Sequence, residues 1–90
     1  MLCQSPIILV KMKLIKDSIF IKKFGMKVKL ERIKQSLSQE KLAELADLNK
    51  NSIGSIERGE TSPSIDTVNA IANAFGISIC ELVDVEKINL

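Results

Sequence analysis

The chain has 90 residues, 13 Lys plus Arg against 11 Asp plus Glu, and 46% hydrophobic residues with three Phe and neither Trp nor Tyr, which describes one small domain with an aliphatic core, as helices packed on helices provide. It has no histidine, so the commonest general base and metal ligand are missing, and a binding protein is favoured over an enzyme. A net charge of +2 excludes a polybasic or acidic disordered tail.

Charge divides unevenly along the chain. Residues 1–25 hold five Lys and one Asp, a net +4, whereas residues 26–90 hold eight cations and ten anions, a net −2. The first 25 residues thus form a basic, apolar leader whose pattern supports more than one structure. Val10 to Leu14 alternates with period two and Ile19-Phe20-Ile21 is a second β-prone run, as in a hairpin. Ile8, Met12, Ile15 and Ile19 fit one helical face equally well. On a third reading Met26 is the natural start and the leader is upstream sequence. Lys11, Lys13 and Lys16 break the apolar stretch from Ile7 to Ile15, which argues against a membrane span or a signal peptide. Cys3 and Cys80 stand 77 positions apart, fit no metal or redox spacing, and read as free thiols of a cytoplasmic protein. Two Cys without His cannot supply four-ligand zinc, and no cofactor is implied.

From Met26 onward the sequence predicts five short helices. Met26, Leu30, Ile33 and Leu37 have the spacing of one helical face, with Lys27, Lys29, Glu31 and Lys34 between them. Ser38 then offers an N-cap oxygen, Glu40 puts a carboxylate in the first turn, and Leu42, Ala43, Leu45 and Ala46 form the buried side of a helix ending near Asp47. Asn49 caps a third helix, with Ile53 and Ile56 inward and Arg58-Gly59 as its end. After a turn at Thr61 to Ser64, a fourth helix presents Ile65, Val68, Ile71, Ala72 and Phe75 and stops at Gly76. Ser78 and Glu81 have capping-box spacing and open a fifth, which runs to about Val83.

The stretch Leu37-Ser38-Gln39-Glu40-Lys41-Leu42-Ala43, then Asn49-Lys50-Asn51-Ser52-Ile53 and Ile56-Glu57-Arg58-Gly59, resembles the lambda-repressor-like family of Xre or Cro-type helix-turn-helix regulators. The resemblance covers about residues 27–84, with all its parts in fixed register. It implies an all-α, compact five-helix DNA-binding domain over 26–84, with residues 85–90 as a short tail. The implied activity is sequence-specific binding of double-stranded DNA, by a small repressor that reads a palindromic operator as a homodimer in the cytoplasm. The resemblance also implies that Arg32 and Glu57 form a buried ion pair clamping the third helix to the first. It places Gln39 at the start of the second helix, against the phosphate backbone.

At 100° per residue the third helix sets Ser52, Ile53 and Ile56 on one side and Asn51, Gly54, Ser55 and Arg58 on the other, with Lys50 beside them. An Asn amide can bond N7 and N6 of adenine, and a Lys can reach O6 and N7 of guanine. Lys50, Asn51, Gly54 and Ser55 are therefore the expected base-contacting residues, and Gln39, Asn49 and Arg58 the expected phosphate contacts. Three positions depart from the family pattern, one of them Ser55, a short side chain where the family often has a longer reader, which leaves fewer base contacts and a share for indirect readout. Asp47 stands where the turn usually has Gly, and tolerates the left-handed conformation better than most residues. Gly54 within the recognition helix costs about 1 kcal/mol relative to Ala, and reads either as a close approach to DNA or as a tolerated weak spot.

Lys27, Lys29, Arg32 and Lys34 cluster on the first helix and Glu81, Asp84 and Glu86 near the C-terminus, so the acidic end should face away from phosphates. Leu82, Val83, Val85, Ile88 and Leu90 make an apolar strip suited to dimerisation or to a second protein. The alternative function is an antitoxin-like interaction module with secondary DNA binding. An enzyme is a distant third.

Overall fold

The computed structural model describes residues 17–89. Among them are five helices: α1 (Asp17–Lys34), α2 (Gln39–Ala46), α3 (Lys50–Glu57), α4 (Ile65–Phe75) and α5 (Ile79–Leu82). Each of the last four starts at a side chain that accepts a hydrogen bond from a backbone N–H in the first turn: Ser38 from Lys41, Asn49 from Asn51, Ser64 from Thr67 and Ser78 from Glu81. These bonds satisfy donors that an isolated helix leaves open.

Four helix ends share one geometry. Ser36, Asp47, Gly59 and Gly76 have φ of 58°, 57°, 71° and 74°. The N–H of the next residue then donates to a carbonyl five residues back: Leu37 to Arg32, Leu48 to Ala43, Glu60 to Ser55 and Ile77 to Ala72. This left-handed closure reverses the chain and uses carbonyls the helix end leaves open. Asp47 takes the conformation expected of it; Ser36 adopts the same conformation without a local sequence signal for it.

The helices converge on one core. Its largest fully buried side chains, Val28, Leu42, Ile53, Ile71 and Leu82, come one from each helix. Burial of each contributes about 1.5–3 kcal/mol. Phe24, at 2% exposure, belongs to the same cluster.

Several expectations are corrected. The buried side of α1 carries Phe24, Gly25, Val28 and Glu31, not Met26, Leu30, Ile33 and Leu37. Leu30 and Ile33 are 49% and 55% exposed, and Met26 and Leu37 are half-buried. Apolar residues stand on both sides of this helix, so spacing alone cannot say which side is inside. Leu45 and Ile65 also lie at the surface instead of in the core. In the C-terminal strip Leu82 and Val85 are buried in the molecule's own interior, and Val83 and Ile88 are half-buried; Leu90 lies outside the described residues.

The boundary expected between residues 25 and 26 falls inside α1, and Ile19-Phe20-Ile21 is helical instead of a hairpin strand. The remaining leader readings, on residues 1–16, lie outside the described residues. Cys80 is disulfide-bonded instead of free; Cys3 lies outside the described residues. No helix among the described residues is long and apolar enough to cross a membrane.

Candidate nucleic-acid interface

Position of α3 is fixed from its inner side. Ile53 and Ile56 are 0% and 2% exposed, and the left-handed turn at Asp47 sets α3 directly after α2. Gly25 lets α1 approach closely, because a Cβ there would collide with the carbonyl oxygens of Ile56 and Glu57.

Polar bonds lock the same arrangement. Arg32 Nε donates to Glu57 Oε2 at 2.6 Å and Nη2 to Oε1 at 3.1 Å, a two-pronged pair with side-chain exposures of 14% and 3%. Arg32 Nη1 donates to the Leu37 carbonyl at 2.8 Å. Gln39 Nε2 donates to Glu57 Oε1 at 3.0 Å. The expected ion pair is present, and Gln39 joins it, so the start of α2, the end of α3 and the end of α1 are bound to one carboxylate.

Lys50, Asn51 and Ser52 are exposed at the N-terminal end of α3, where the helix dipole adds positive potential and the first turn holds no acidic residue. Ser52, expected on the packed side, faces out. Ser55 is half-buried and Gly54 is buried. A Cβ at Gly54 would lie 3.0 Å from Arg58 Nη1 and 3.7 Å from Gln39 Oε1, so the glycine sits beneath the Arg58 side chain. Asn49 is exposed, and its Oδ1 accepts from the Asn51 N–H at 2.7 Å.

Arg58 pairs with Glu60 at 2.9 Å, and both side chains are more than half exposed. The hydrogen bond from Arg58 holds the Glu60 carboxyl below its ordinary range, and the same bond raises Arg58. Gln39 keeps donor capacity, since an amide nitrogen carries two hydrogens and only one is directed to Glu57.

Beside α3 runs a shallow depression lined by Asn51, Ser52, Ser55, Thr61, Ser62, Ser64 and Thr67 together with the apolar Ile56 and Pro63. Its hydroxyls are of the kind that bond phosphate oxygens. The sequence marks Thr61 and Ser62 only as part of a turn; the Ser/Thr-rich loop directly after the third helix is the signal that points to them.

Comparison with known proteins agrees with this geometry. A family model described as helix-turn-helix matches residues 28–82. The control protein C.BamHI of Bacillus amyloliquefaciens is 42% identical over 62 residues, 68% of this chain and 76% of that protein. An immunity repressor protein of Bacillus phage phi105 is 36% identical over 64 residues, 71% of this chain but 44% of its own length. Among solved structures, the restriction-modification controller protein C.AhdI from Aeromonas hydrophila superposes with a TM-score of 0.68 at 35% identity, covering 69% of this chain and 94% of that one.

Proposed function

The chain belongs to the helix-turn-helix family of DNA-binding transcriptional regulators, and from that membership we propose that it is a small repressor that binds a palindromic operator as a homodimer. The observation that carries the reading is the outward-facing start of α3. Lys50 and Asn51 are exposed there, free of carboxylates in the first turn, on a helix held rigidly by the Arg32–Glu57–Gln39 cluster. In the major groove these two read base edges, with half-buried Ser55 as a secondary contact; Gly54, expected among the base contacts, is buried beneath the Arg58 side chain and reads none. Gln39, Asn49, Arg58 and the Thr61–Ser62 hydroxyls hold phosphates. Two copies about a two-fold axis would present their α3 helices to half-sites about 34 Å apart. The chain works in the cytoplasm, where its operator lies.

Selection of bound sites from a random DNA pool, followed by mobility shift, tests this. Lys50→Ala or Asn51→Ala should each cost about 1–3 kcal/mol at the selected site, with little change on random DNA. If either variant keeps the wild-type preference for the selected site, the assignment is wrong.

A further inference from the structure

The side of α1 turned away from the core is itself ordered by sequence. Ile19, Leu30 and Ile33 are 48%, 49% and 55% exposed, and Met26 between them is half-buried. At 100° per residue these four fall within an arc of about 60°. In heptad terms Ile19, Met26 and Ile33 are d positions, and Lys23 and Leu30 are a positions. The flanking g positions are Lys22 and Lys29, and the e positions are Phe20, Lys27 and Lys34. None of these five lysines takes part in an ion pair among the described residues.

Charge and width together choose the occupant. A second copy would set lysine against lysine, because parallel helices oppose e with g, and antiparallel helices oppose e with e and g with g. A membrane surface favours a wide apolar face, whereas a stripe confined to a and d positions is a helix-packing seam. We infer that the outer face of α1 docks an amphipathic helix from another protein, one with an apolar a/d seam flanked by glutamates or aspartates. The seam spans about 21 Å from Ile19 to Ile33. Gly25, where α1 packs on α3, lies about 110° around the helix from the centre of the seam, so the seam is not the face that meets α3, and a regulator bound at its operator can be engaged by a partner.

The test is an anisotropy titration of the full chain with a labelled synthetic three-heptad peptide bearing Leu at a and d and Glu at e and g. Saturable binding is expected, weakened at least about tenfold between low and high salt, with no binding of the matched peptide bearing Lys at e and g. The variant Leu30→Gln/Ile33→Gln should keep its melt and its DNA mobility shift but lose peptide affinity by about tenfold or more. The inference is overturned if the two peptides bind alike or if the variant binds like wild type. It is overturned equally if the substitutions abolish self-association in sedimentation, which makes a second copy the occupant. Binding to phosphatidylglycerol vesicles without peptide binding would assign the face to a lipid surface. The unchanged DNA shift separates failure of this inference from failure of the operator reading.

Discussion

Glu57 accepts from Arg32 Nε, Arg32 Nη2 and Gln39 Nε2 at 2.6, 3.1 and 3.0 Å with 3% of its side chain exposed, so its loss strands three donors, from two side chains, in a nearly dry site. Glu57→Ala should destabilise by about 3–5 kcal/mol, and replacing Arg32 and Glu57 together should cost less than the sum of the single changes. Urea melts of the three variants measure both, and strict additivity would mean that the pair contributes nothing. At the surface, the phosphate role proposed for Arg58 puts Glu60 in competition with DNA for its guanidinium. Glu60→Gln should raise affinity for random DNA a few-fold and steepen its salt dependence by about one phosphate contact; an unchanged slope would remove Arg58 from the phosphate contacts. Because the carboxyl of Glu60 is held low, the pair persists below the pH at which a free glutamate protonates. It is lost as pH falls through the lowered value, so acidification should mimic the substitution.

At the scale of elements, helix ends were legible and helix faces less so. Ser38, Asn49 and Ser78 were readable as N-caps, and Gly59 and Gly76 as ends, because capping is decided within about four residues of sequence. The buried side of α1 was not legible, since Phe24–Val28 and Met26–Leu30–Ile33 have equivalent spacing and only the neighbouring helices choose between them. The Arg32–Glu57 pair was reached through the family resemblance, but the part played by Gln39 required the fold. Gly25 gave no local signal, because its role is a close approach between helices remote in sequence. Gly25→Ala should therefore cost about 1–3 kcal/mol as an overpacked contact that α1 relieves only by moving off α3. A thermal melt reads the stability, and weaker binding at the operator is expected with it, since α3 shifts too. A substitution that left both unchanged would show that the crossing is not held as closely as Gly25 implies.

For the whole molecule the question is where the domain begins. Composition separates a basic leader from a mildly acidic remainder at residue 25, but charge reports surface and history, whereas the core is defined by burial. α1 runs unbroken through that point from Asp17, and Phe24, 2% exposed, sits in the cluster to which all five helices contribute. A chain starting at Met26 loses this ring, the Gly25 crossing and the first half of α1. Loss of a buried Phe side chain alone costs about 3–5 kcal/mol, against a total stability on the order of 5–15 kcal/mol for a domain. Truncation at Met26 should therefore abolish the cooperative melt followed by helical circular dichroism. Phe24→Ala in the full chain is the control: it removes no backbone, and should lower the urea midpoint by an amount equivalent to about 3–5 kcal/mol. If the truncated chain melts as cooperatively as the full one and Phe24→Ala is silent, the first half of α1 is an appendage, and the domain begins at Met26 as the charge division suggests.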